Sequence, residues 1–147
     1  MDDRLQTLVF IRHGVARHNF EGADLRDPAL FDPPLVPEGR GHVAMAGHSI
    51  RRFFQVLGRE IGVVLTSPLT RCLQTSSLAF LPGDDYSTER TKIVCCEELR
   101  EAYGVHYPDK RRSKSDLEVR GHEIRRSIVT KAPSHSFIAA TLAEHRV

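Results

Sequence analysis

LVFIRHGVARHN, residues 8–19, is the stretch on which the fold turns. Leu8 to Ile11 is a continuous apolar run of strand length, and its Val, Ile and Phe content favours extended backbone. Alone, the run fits a buried strand or a helix fragment, and its length and composition favour a strand buried on both faces. It ends abruptly on Arg12, His13 and Gly14, and Asn19 follows five positions later. Parallel sheets hold their ligands outside the carboxyl ends of their strands, so an arginine and a histidine at such an end are candidate site residues.

Working outward, residues 20–37 are rich in Asp, Pro and Gly, with DPPLVP at 32–37, and read as a loop. Val43, Gly47, Ile50, Phe54 and Leu57 then recur at helical spacing, while Arg40, His48, Arg51 and Arg52 fall off that stripe. This predicts an amphipathic helix over about 38–57, with Pro37 in its first turn and Gly58 at its stop. IGVVL at 61–65 is a second strand. Ser67 and Pro68 suit an N-cap and a first helical residue, so Pro68 with the LTRCLQTSSLAF that follows reads as a helix directly after a tight turn. Pro82-Gly83 stops it, 83–91 is a polar loop, and KIVCCEEL at 92–99 begins as a third strand. The order β-α-β-α-β predicts an α/β fold with a mainly parallel sheet flanked by helices. DKRRSKS at 109–115 is a charged stretch, and residues 118–147 lack clean periodicity. There, Ser127–Thr130 is a strand candidate and Phe137–Leu142 a possible helix start. No repeat or domain boundary is visible, so residues 1–147 read as one domain.

The bulk numbers bound the function. Of 147 residues, 40% are apolar and 27% charged, enough for a packed core. Lys plus Arg number 21 against 19 Asp plus Glu, and a net charge of +2 gives no reason to expect nucleic acid or a membrane surface as partner. MDDRLQT at the start has no apolar signal region, and no apolar run approaches a membrane span. Cys72, Cys95 and Cys96 make neither a disulfide framework nor a zinc pattern. Cys72 is expected to pack within its helix. The expected setting is reducing and cytoplasmic.

The chemistry follows from placing two strand ends side by side. A helix N-terminus after Ser67 offers unpaired N–H groups and partial positive charge. Arg71 in that first turn adds a planar fork of donors suited to phosphate oxygens. Arg12 adds a second fork, Asn19 a neutral donor, and Gly14 a close backbone approach. Such a pocket suits a phosphoryl group, with His13 at its centre as nucleophile. Glu98 and Glu101 are candidate acids for the leaving alkoxide. Lys110, Arg111 and Arg112 read as a solvated charge run, and His18 does not have the spacing of a zinc ligand paired with His13.

In order along the chain, RHG with Asn19, SPLTRCLQT at 67–75 and ELREAYG at 98–104 resemble the histidine phosphatase superfamily, which has the phosphoglycerate mutase-like fold. GVHYPDKRRSKSDL at 104–117 is similar to the plant and fungal branch of phosphoglycerate mutase-like proteins. The resemblance implies that His13 is phosphorylated, that Arg12, Asn19 and Arg71 hold the phosphoryl group, and that Glu101 rather than Glu98 donates the proton. It also implies a second histidine after a later strand, for which His135 in PSHSFIAATL is the counterpart. Residues 118–147 depart from the family pattern. The stretch before His135 is short, and Phe137 stands where glycine is usual, so the C-terminal part of the fold is expected to be incomplete. The implied activity is phosphomonoester hydrolysis through a phosphohistidine, with no metal or other cofactor and a small-molecule phosphomonoester as partner. Mutase-type phosphoryl transfer and a non-catalytic phosphoanion-binding module are the alternatives.

Overall fold

A computed structural model of the chain describes residues 8–81, 91–101, 104–119 and 137–142. Strands β1 (Leu8–Arg12), β2 (Ile61–Thr66), β3 (Lys92–Cys95) and β4 (Phe137–Leu142) form a parallel sheet in the order β1-β4-β2-β3. Helix α1 (Pro37–Val56) connects β1 to β2, and α2 (Thr70–Phe80) leads from β2 towards β3. Both steps run the same way across the sheet. Right-handed crossovers then put their helices on one face, and α1 and α2 do pack against each other. A short helix, α3 (Lys114–Val119), follows β3. Among the described residues no helix is long and apolar enough to cross a membrane.

The core lies between that helical layer and the sheet. Leu35, Val43, Phe54, Ile61, Val64, Ala79 and Phe80 are buried together, with Val9, Ile11, Ile50, Leu78 and Ile93 packed against them. Ile61 and Val64 share this cluster although regular alternation would send them to opposite faces. The register of β2 against β4 slips between Ile61 and Val63, and such an irregularity re-phases the alternation.

Helix α1 ends as its sequence predicts. Pro37 occupies the first helical turn. Gly58 has a φ of +62°. Its N–H donates to the Gln55 carbonyl at 3.0 Å, and the Arg59 N–H donates to the Phe54 carbonyl at 3.0 Å. These two bonds close a helix through a left-handed residue, where glycine carries no Cβ penalty.

Three expectations need correction. β1 is not buried on both faces: Val9 and Ile11 face the core, while Leu8 and Phe10 are 50% and 63% exposed. It is an edge strand of the described sheet and pairs only with β4 there, so it shows the alternation of a half-covered strand. Phe137–Leu142 is a strand, not a helix start, and lies at the sheet's centre between β1 and β2. Its Ala and Leu residues suit a helix locally, but pairing on both sides overrides that preference. Finally, α2 begins at Thr70 rather than directly after Ser67. The strand candidate at 127–130 lies outside the described residues.

Candidate active site

β1 and α2 meet through backbone and hydroxyl. The Gly14 N–H donates to Thr75 Oγ1 at 3.0 Å, and that hydroxyl donates to the Arg71 carbonyl at 2.8 Å. Two bonds therefore join the residue after His13 to the first turn of α2. Gly14 has no room for a side chain: a Cβ there would stand 2.5 Å from Val43 Cγ2 and 3.0 Å from the Gly39 carbonyl oxygen. The close approach that the sequence suggests at Gly14 is thus an approach to α1.

His13 is buried at the end of β1. Its Nδ1 lies 2.7 Å from the Gly14 carbonyl oxygen. A carbonyl can only accept, so in the neutral ring Nδ1 carries the proton and Nε2 the lone pair. Arg12 is exposed at the sheet's end, the next position in the alternation after exposed Leu8 and Phe10. Asn19 closes a 3₁₀ turn, Arg17–Asn19, and its Oδ1 accepts from the Ala16 N–H at 2.9 Å.

Arg71 is 1% exposed. Its Nη1 donates to the Pro108 carbonyl at 2.6 Å, and its Nη2 pairs with Asp109 Oδ1 at 3.2 Å. The fork expected to grip a phosphoryl group is thus engaged by the turn at 107–109. Nε is buried without a hydrogen-bond partner, and an unpaired donor of this kind is costly until an acceptor reaches it.

The cap of α2 comes from a distance. Ser67 Oγ accepts from the Leu69 N–H at 3.5 Å, a residue short of the helix. The Thr70 N–H donates instead to Asp32 Oδ1 at 2.8 Å, and the Thr70 hydroxyl donates to Asp32 Oδ2 at 2.6 Å. One orphan donor of the helix end is therefore satisfied by the DPPLVP loop rather than left for a ligand. Asp32 is wholly buried, and burial raises its carboxyl pKa above the ordinary 3.8 against the opposing pull of Thr70, Arg112 and Arg71. Arg112 Nε approaches Asp32 Oδ2 at 3.6 Å and its Nη2 donates to the Phe31 carbonyl at 3.3 Å. Arg111 pairs with Glu97 at 2.7 Å, and Lys110 lies 3.7 Å over the Tyr107 ring. The charge run at 110–112 is thus bound into the fold rather than simply solvated.

Glu101 lies near enough to α2 for its charge to act on the Cys72 thiol. Burial, the larger cause, pushes that thiol up to about 12, so Cys72 packs as a neutral side chain. Among the candidates, then, His13, Asn19, Arg71 and Glu101 are gathered around the β1 end and the first turn of α2, and Arg12 stands at the sheet's rim. His135 lies outside the described residues. The chain enters β4 at Phe137, whose register partner is Ile61 at the amino end of β2, while Leu142 at its carboxyl end pairs with Arg12.

Residue-by-residue reading of the sequence misses Asp32, Gln74, Thr75 and Asp109. Gln74 Oε1 accepts from the Leu35 N–H at 2.8 Å and so ties the same loop to α2. For Gln74 and Thr75 the signal is present in hindsight, as polar residues at positions of TRCLQT that leave no exposed face for them; Asp32 and Asp109 lie far from that stretch and carry no local signal.

Comparison with known proteins bears on the family and the fold. The family model of the histidine phosphatase superfamily (branch 1) matches residues 8–119. The chain is 32% identical over 94 residues to sedoheptulose 1,7-bisphosphatase of Saccharomyces cerevisiae, covering 63% of this chain and 34% of that one. It therefore spans about a third of that curated relative's length. In fold it is similar to the ecdysone phosphate phosphatase, EPPase, of Bombyx mori, solved in complex with tungstate, at a TM-score of 0.59 and 15% identity, covering 94% of this chain and 73% of that one. With the family pattern running from β1 through α3, the chain belongs to the histidine phosphatase superfamily (branch 1).

Proposed function

We propose that this domain hydrolyses a small phosphomonoester through a covalent intermediate on Nε2 of His13. The observation that carries this reading is the 2.7 Å contact between His13 Nδ1 and the Gly14 carbonyl, which leaves the ring's lone pair on Nε2. A buried neutral imidazole held in one tautomer is a competent nucleophile towards phosphorus.

The steps balance without a metal. Nε2 attacks phosphorus, the ester P–O bond breaks, and the leaving alkoxide takes the proton of a Glu101 carboxyl group. Water then attacks the phosphohistidine and gives a proton back to the Glu101 carboxylate. The P–N bond breaks, and inorganic phosphate and neutral His13 are released. Arg12 and Arg71 would neutralise the equatorial oxygens, with Asn19 as an uncharged donor. Arg71 would turn its Nε to the anion or exchange Asp109 for it.

A sugar phosphate is the first substrate class to test, because the yeast relative is named for one. Hydrolysis is favoured over mutase transfer because a mutase must keep and re-orient its phosphorylated intermediate under a closing lid. A non-catalytic phosphoanion-binding module is the second reading.

The test is turnover of p-nitrophenyl phosphate and sugar phosphates with chelator present, beside His13→Ala. Loss of at least about a thousandfold is expected for removal of a covalent nucleophile. Equal rates in the two proteins would end the reading, and phosphate binding without any turnover would favour the module. His135→Ala and His145→Ala belong in the same assay. Ligands gather at the carboxyl ends of parallel strands, and His145 is the histidine that follows that end of β4 in sequence, whereas His135 precedes its amino end.

A further inference from the structure

We infer that His18 is a positioning residue: its imidazole fixes the carboxamide of Asn19, so that one N–H of that group is held for an oxygen of the phosphoryl guest. The inference rests on the reading of His13 and Asn19 given above.

His18 is 8% exposed in the 3₁₀ turn that follows β1. Its ring centroid lies 5.5 Å from that of His13, at an interplanar angle of 46°. Two contacts determine the protons. The Ala16 N–H can only donate, so the Asn19 atom 2.9 Å from it is Oδ1. The other end of the carboxamide, Nδ2, therefore faces His18 Nε2 at 3.2 Å. An NH₂ group can only donate, so Nε2 accepts, and His18 is a neutral ring protonated at Nδ1.

An amide gripped at both ends cannot flip. One of its two Nδ2 hydrogens is committed to His18, and the second has a fixed direction from half-buried Asn19. The choice of acceptor matters as well. A carboxylate at residue 18 would also hold the amide, but its negative charge beside His13 would repel a phosphoryl dianion. A neutral imidazole accepts without that cost.

The experiment uses the full chain and inorganic phosphate. Gln places an acceptor oxygen near the position of Nε2, whereas Leu has none and Asn is too short to reach it. His18→Leu and His18→Asn should weaken phosphate binding in calorimetry by about tenfold, the scale of one mis-set hydrogen bond. His18→Gln should stay within about threefold of the parent. In an Asn19→Ala background, His18→Leu should cause little further loss, because the effect travels through the amide. Thermal unfolding reports the fold of each variant; if His18→Leu does not fold, the Gln and Asn variants carry the comparison. Equal phosphate affinity across the Leu, Gln and parent proteins would overturn the inference, as would an undiminished effect in the Asn19→Ala background. Absence of turnover in the parent would overturn the hydrolase reading alone, since phosphate binding reports on the amide without chemistry.

Discussion

Helices α1 and α2 lie side by side over the same sheet and follow opposite rules. α1 buries four of its twenty residues, Gly39, Val43, Gly47 and Phe54, and turns the rest outward or to the rim. α2 buries nine of eleven, and among them Thr70, Arg71, Gln74, Thr75 and Ser76 are polar. A helix that serves as scaffold needs one apolar stripe, so periodicity betrays it. A helix that ties distant loops together must bring donors and acceptors into the interior, and there Thr70, Arg71, Gln74 and Thr75 have named partners. α2 is therefore the more exacting of the two: its residues can be replaced only together with what they touch.

That contrast can be broken most severely at Arg71. Arg71→Met removes a wholly buried guanidinium, leaving the Pro108 carbonyl and Asp109 without their donor. A loss of roughly 3 kcal/mol in urea unfolding is expected, with Asp109→Asn recovering part of it in the double variant. Next comes the seam between the helices. A Cβ at Gly47 would stand 2.5 Å from the Ala79 Cα and 2.6 Å from its carbonyl oxygen. Gly47→Ala should thus cost about 1–3 kcal/mol by forcing α1 from α2, seen as a lower urea midpoint at unchanged slope. Gly41, on the exposed side of α1, sharpens the same point with the opposite sign. Nothing lies within 4 Å of a Cβ there, so Gly41→Ala should stabilise by about 1 kcal/mol through helix propensity alone. The smallest expected signal is a slope. Burial raises the Asp32 pKa above 3.8, so the folded chain keeps this proton at a pH where the unfolded chain has lost it. Stability from this group is present at low pH and falls as pH rises through the window above 3.8. Asp32→Asn, measured by unfolding from pH 4 to 6, should flatten that fall.

The same contrast explains what could be read beforehand. α1 was legible down to Pro37 and Gly58 because its ends are set by local backbone preferences. His13, Asn19 and Arg71 stand out as a pattern because each sits in a short stretch of distinctive residues. The part of that pattern the structure shows is the meeting of the segment after His13 with the first turn of α2. The cap of α2 was not legible, because its acceptor, Asp32, lies 38 residues away from Thr70 and no local pattern joins them. The same holds for Asp109 on Arg71. β4 was misread for a related reason: FIAATL has no strong preference of its own, and what makes it a strand is the pair of neighbours it meets. The role inferred for His18 lies between these cases. Its position in the sequence was plain, but only the direction of the Asn19 carboxamide gave it a task.

The strand order has a consequence for how the molecule comes into being. β1 and β2 are synthesised early, yet they are not paired with each other; each pairs with β4, more than seventy residues beyond β2. A nascent chain emerging from the ribosome therefore carries two unsatisfied strand edges, one of them bearing Phe10, until β4 arrives to fill the gap. Closure of the sheet must wait for these most distant contacts, so the topology favours slow folding that ends with β4 and leaves the half-made sheet open to mispairing until then.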